Sequence, residues 1–139
     1  MVSFGEDVHL KTSGEGDVKD ITALVAGVVT RSGIGGGIVC VSVVGSTASV
    51  TTVEFEPGLV KDLGEAAERL FPRGLEYDHH RRWGDGNGHS HVRASFLGPG
   101  ITLPVREGKP VLGTWQQIVL MEFDPRPRER TVAVQVVGD

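Results

Sequence analysis

Asp85, Asn87, His89, His91 and Arg93 recur at every second position of "WGDGNGHSHVRASFLG", Trp83 to Gly98. Residues of these types bind metals, move protons or hold phosphate. On a β-strand, side chains two apart share a face and stand roughly 7 Å apart. Two imidazoles so placed, His89 and His91, can converge on one Zn²⁺ at about 2.0–2.1 Å. They can equally form a hydrogen-bonding pair toward an anionic substrate. Asp85 and Asn87 come just before, where their oxygens can orient an imidazole or hold Mg²⁺ through water. The bland alternative is a polar strand end in which Asp, Gly and Asn do turn work. A calcium loop is excluded, because His89 and Ser90 replace a ligand and the turn glycine and Phe96 takes the closing Glu position.

Three further stretches carry polar groups. In "GTWQQI", a strand would point Trp115 and Gln117 one way and Thr114 and Gln116 the other. A buried Thr–Gln pair needs hydrogen-bond partners, which a ligand can supply; with Trp115 inside instead, the pair faces solvent. "GSTASVTTVE" gathers Ser46, Thr47, Ser49, Thr51 and Glu54, compatible with phosphate and equally ordinary for a strand. Arg126, Arg128 and Arg130 in "DPRPRER" form a cationic edge if extended, or a solvated loop. The glycines of "SGIGGGIV" have neither dinucleotide-fold nor P-loop spacing and read as a turn.

The elements that must position these residues follow from periodicity. The 139 residues suit one domain, 1–139. A net charge of −4 argues against a nucleic-acid partner. The start has no basic-then-apolar signal pattern, and no apolar run approaches the ~18 residues of a membrane helix, so we expect a cytoplasmic protein without a membrane partner. The lone Cys40 sits in an apolar run and reads as buried and structural. Phe4–Lys11 alternates as a strand. Ile21, Leu24, Val25, Val28 and Val29 mark a helix, with Asp17 or Asp20 as cap and Gly33 as stop. "GGGIVCVSVVG" and "STASVTTVEFE" read as neighbouring strands. Pro57 opens a second helix whose stripe is Leu59, Val60, Leu63, Ala66, Ala67 and Leu70, ended by Pro72 and Gly74. Tyr77–Gly88 reads as a long loop, followed by strands at Ser90–Leu97, Thr102–Val105, Thr114–Phe123 and Thr131–Val137. Short connections favour antiparallel pairing, giving an α+β domain with a mostly antiparallel sheet and two main helices.

The run "GDGNGHSHVRASFLGPGITLPVREGKPVLGTWQQIVLMEFD" closely resembles the YjbQ-like family, described as secondary thiamine-phosphate synthases. The resemblance rests on Ser90–Gly98, on Leu103–Val105, on Gly113–Gln116, and on "STASVTTVE" with Glu54 at its acidic position; it covers essentially the whole chain. It implies an α+β fold, a cytoplasmic homotrimer and a site near a subunit boundary. It also implies a weak coupling of hydroxymethylpyrimidine diphosphate to hydroxyethylthiazole phosphate with release of pyrophosphate. Under that reading the catalytic set is His89, His91, Arg93 and Asp85. Asn87, Ser95, Glu54, Ser49, Thr114, Trp115 and Gln116 contact substrate, and His89, His91 and Asp85 hold a divalent metal, Mg or Zn. Arg93 would bind a phosphate oxygen and Trp115 would stack on the pyrimidine. Gly45 stands where the family has a histidine, so His79 or His80 is the candidate third imidazole. A dedicated (β/α)₈ synthase needs about 200 residues or more, so any such activity uses another scaffold. The alternative is a non-catalytic or differently catalytic trimer that binds a metal or a phosphorylated metabolite.

Overall fold

Val39, Val41 and Val43 alternate with Ile38, Cys40, Ser42 and Val44, which gives a strand buried on one face only. The computed structural model describes residues 1–139 and builds the whole chain on such patterns. The order is β1 (Val2–Thr12), β2 (Val18–Asp20), α1 (Thr22–Ser32), β3 (Gly36–Val44), β4 (Ala48–Val53) and α2 (Pro57–Leu70), then α3 (Asp78–Trp83), α4 (Gly88–Leu97), β5 (Gly100–Arg106), β6 (Lys109–Pro110), β7 (Gln117–Glu122) and β8 (Arg128–Gly138). Every strand pair is antiparallel, in two sheets: β1-β8-β3-β5-β6 and β2-β7-β4. The α+β class with its antiparallel pairing is therefore as expected, with two short helices in addition to the two main ones.

The core lies between the sheets. Val25, Val28 and Val29 of α1 meet Val39 and Val41 of β3, Val132 and Val134 of β8, and Ile118 and Leu120 of β7. Each such side chain contributes roughly 1.5–3 kcal/mol on leaving water. β7 is apolar on both faces because both are covered: Val119 and Met121, with Phe123 just beyond, pack against Ala94 of α4, with Leu63 of α2 alongside. α2 begins at Pro57, and the Glu56 side chain accepts from the Gly58 and Leu59 amides at 2.8 and 2.7 Å. Those two bonds hold the Glu56 carboxyl below the usual range. Gly33 closes α1 at φ 70°. No atom would crowd a β-carbon there, so Gly33→Ala is expected to cost about 1–2 kcal/mol from backbone conformation alone; a lower urea midpoint at unchanged slope checks it.

Four expectations need correction. Ser90–Leu97 is helical within α4, because His89 through Leu97 holds no glycine or proline and Gly98 ends the run. The polar stretch after Tyr77 contains α3, which buries none of its residues and so leaves no apolar stripe to read. Residues 113–116 form a turn before β7: the Gln116 amide donates to the Gly113 carbonyl at 3.1 Å and the Gln116 side chain accepts from the Gly113 amide at 2.9 Å. Cys40 is exposed on the outer face of β3, since the buried positions of that strand are the odd-numbered valines.

Candidate functional site

Helix geometry replaces strand geometry at the centre of the expected site. Side chains advance about 100° per helical residue, so positions two apart point to nearly opposite sides and positions four apart share one. α4 therefore separates His89 and Arg93 from His91 and Ser95. The expected sharing of one face by His89, His91 and Arg93 does not hold, and neither does a metal set of His89, His91 and Asp85.

On one side of α4, His91 stacks against His79 of α3 with ring centroids 4.5 Å apart. His79 Nδ1 lies 3.6 Å from Asp85 Oδ1, and the Asn87 amide nitrogen, turned toward Asp85, donates to it at 2.9 Å. Burial, reinforced by the charge of His79 and opposed by Asp85 and Asp124, pulls the His91 imidazole below its ordinary value. His91 is thus neutral at pH 7 and keeps a lone pair. Asp124 is nearly inaccessible. Burial resists its ionisation, but the Arg126 amide, Arg128 and the Thr47 and Asn87 side chains outweigh that and hold its carboxyl low. Arg128 Nη2 sits 3.3 Å from Asp124 Oδ2. His80 faces elsewhere, its Nε2 accepting from the Gly88 amide at 3.1 Å, so it caps α4 and supplies no third imidazole to this face. Ser95 Oγ donates back to the His91 carbonyl at 2.7 Å, an intrahelical bond.

On the other side, His89 is fully buried and its Nε2 contacts Glu15, which also pairs with Arg73. An ionised carboxylate only accepts, so Nε2 carries the proton; Nδ1 is buried without a partner. Burial, then the guanidinium charges of Arg93 and Arg73, push His89 down to about 4. Arg93 is also buried, donating to the Phe71 carbonyl at 3.0 and 3.1 Å and to Glu68 at 2.8 Å.

Beneath the His91 face lies a buried ion pair. Arg130 Nε donates to Glu122 Oε1 at 2.8 Å, while Nη2 meets Glu122 Oε2 and donates to Thr47 Oγ1 at 2.8 Å. A β-carbon at Gly45 would stand 2.9 Å from Arg130 Nη1. Ser49 is buried in β4, its Oγ 3.5 Å from the Ala94 carbonyl. Glu54, Thr114 and Trp115 are exposed and line a cleft beyond the far end of β4. Gln116 is tied to Thr52 Oγ1 at 3.1 Å. Since β4 rises about 3.3 Å per residue, this group stands roughly 20 Å from Thr47 and Asp124. One chain thus gathers Asp85, Asn87 and His91, and leaves Glu54, Thr114, Trp115 and Gln116 apart.

Sequence patterns single out Thr47 and Arg128 without linking them to His91, and give no sign of Asp124 on that side or of Glu15, Glu68 and Arg73 on the other. The "GSTASVTTVE" and "DPRPRER" runs are the two stretches that carry members of the first group. No three His, Cys, Asp or Glu side chains of the chain converge closely enough to hold a metal, so a preformed zinc cage does not fit these residues.

The antiparallel α+β fold is shared with proteins of known structure. The description "UPF0047 protein YjbQ-like" matches residues 6–139, and the chain belongs to this YjbQ/UPF0047 family. A UPF0047 protein of Methanothermobacter thermautotrophicus is 38% identical over 138 residues, covering 99% of this chain and 94% of the relative. YugU of Bacillus subtilis is 31% identical, covering 94% of this chain and 97% of its own. A crystal structure of a Sulfolobus solfataricus protein, described as of unknown function, superposes with a TM-score of 0.91 at 36% identity over 99% of both chains. No helix is long and apolar enough to cross a membrane.

Proposed function

We propose that the chain binds a phosphorylated metabolite at the His79–His91 face and that the bound chemistry is displacement of pyrophosphate, as in the coupling of hydroxymethylpyrimidine diphosphate to hydroxyethylthiazole phosphate. The observation that carries the binding half is the gathering of His79, His91, Asp85, Asn87 and Arg128 by three separate segments. The coupling half rests on the family resemblance. Pyrophosphate departure needs donors and cations near the leaving oxygens, and the reacting carbon needs chiefly to be held near its nucleophile. Arg128 and the Asn87 amide supply donors; neutral His91 can accept a proton or donate one. A magnesium ion carried in on a diphosphate needs only one or two protein carboxylates, and Asp85 is the accessible one.

The reading includes assembly into a homotrimer. Trp115 and Glu54 can reach a ligand at His91 only from another copy, given their separation within one chain. Exposed Ile38, Val44 and Cys40 on the outer sheet face supply surface for such contacts.

Calorimetric titration with pyrophosphate, with and without Mg²⁺, tests the binding half. His91→Ala and Arg128→Ala are each expected to weaken binding at least tenfold while the chain remains folded. Unchanged affinity in both variants rejects this site. Turnover of the two precursors, measured alongside, tests the coupling; binding without turnover leaves the alternative of a non-catalytic phosphometabolite binder.

A further inference from the structure

α2 is amphipathic, yet none of its residues is buried. Two clefts separate its apolar face from the three-stranded sheet and α4. One, of about 470 Å³, runs past Val60, Leu63, Ala67, Met121 and Phe123 to a polar end at Glu15, Glu68, Arg73 and Arg93. The other, of about 320 Å³, is lined almost wholly by apolar side chains, among them Leu70, Phe71, Phe96 and Leu97. Leu63, Ala67, Arg93, Met121 and Phe123 line both, so the two are arms of one space. Small-molecule pockets run about 300–1,000 Å³ and combine apolar walls with a few fixed polar groups.

The fixed polar group is Arg93. Its guanidinium is 5% exposed. Nε and Nη2 are spent on the Phe71 carbonyl and Glu68. Nη1 makes no hydrogen bond; Glu15 Oε2 lies 3.9 Å away, beyond reach. Arg93 lines both arms of the space. A guanidinium hydrogen-bonded along one edge, with Nη1 in a long ion pair and no hydrogen bond, keeps a donor for an oxygen acceptor.

We propose that the space beneath α2 is a binding site for a small anionic amphiphile: a carboxylate head on Arg93 Nη1, with Arg73 at the mouth, and an apolar tail between Leu63, Phe71, Phe96 and Met121. This site lies across α4 from His91 and does not depend on the function proposed above. Glu15 and Glu68 at the polar end bar a second negative charge on the head, so a monocarboxylate fits and a phosphate dianion does not. A short polar acid would leave the apolar arm, walled by the packed Phe71 and Phe96 rings, unfilled.

Octanoate is the probe, followed by calorimetry and by chemical-shift changes of the Met121 methyl group. One site per chain is expected. Octyltrimethylammonium, with the same tail and opposite charge, should bind at least tenfold more weakly. Ala67→Phe fills the shared wall and should abolish octanoate binding while raising the melting temperature. Leu70→Ala, at the rim, keeps the fold testable if Ala67→Phe does not accumulate, and should weaken octanoate several-fold. Absence of octanoate binding to the unaltered protein, equal binding of the two amphiphiles, or binding indifferent to both substitutions overturns the proposal.

Discussion

Glu122→Leu should destabilise the protein by about 3–5 kcal/mol, because it leaves the Arg130 guanidinium buried and unpaired. Glu122 is 1% exposed and Arg130 5%. The carboxylate accepts from Arg130 through both oxygens, from Thr12 Oγ1 at 2.6 Å and from the Asp124 amide at 3.1 Å. A loss of that size is about a fifth or more of the stability of an ordinary domain. Pairing the change with Arg130→Met should recover much of it, since an apolar pair in place of a buried ion pair is often neutral. The recovery stays partial because Thr12 and Thr47 each lose one hydrogen bond. Urea unfolding of the two single variants and the double variant gives the coupling. A Glu122→Leu loss under about 1 kcal/mol would show that the pair is not desolvated as described. The pair also supports the candidate site: Arg130 fixes Thr47, and Thr47 helps hold Asp124 beside His91. Gly45 belongs to the same arrangement, since a side chain there would push on Arg130 Nη1.

What could be read in advance was what leaves a periodic apolar trace. α1 announces itself through Val25, Val28 and Val29, and β3 through its valines, because each buries a stripe against the core. α2 was legible from the same kind of stripe although nothing in it is fully buried. α3 was not, since it buries nothing. α4 is hidden for a sharper reason: its imidazoles and guanidinium alternate with period two, while the buried residues Ser90 and Ala94 are small and carry the helical period quietly. The consequence for the site is large. A strand would aim His89, His91 and Arg93 together; the helix sends His91 to His79 and Asp85 and sends His89 and Arg93 to Glu15, Glu68 and Arg73. Those partners lie up to 74 residues away in sequence, and only the tertiary fold brings them near.

The split makes a prediction about acid stability. His89 titrates at about 4 in the folded chain and near 6.5 when unfolded. Between those values the unfolded state binds a proton that the folded state refuses, so stability rises with pH across the window and is lost as pH falls from about 6.5 to 4. The full effect approaches about 3 kcal/mol, at up to 1.4 kcal/mol per pH unit. The structural cause is specific: a second ring proton would sit on Nδ1, which is buried with nothing to accept it, while Arg93 and Arg73 already place positive charge nearby. His91 shifts in the same direction and adds to the slope. Asp124 and Glu56, whose pKa values are lowered below the ordinary carboxylate range, give up their contributions only at more acid pH, so they leave this window to the histidines. His89→Leu removes the titrating ring and keeps an apolar side chain, so the urea midpoint of that variant should depend less on pH between 4 and 6.5 than that of the unaltered protein. His91→Ala should flatten it by a smaller amount, because half-buried His91 retains access to water and to two carboxylates. An identical pH slope in His89→Leu and the parent would mean that His89 holds its proton when folded, with Glu15 as a full counter-ion, and the separation of α4 into a neutral buried side and an open polar side would then have to be redrawn.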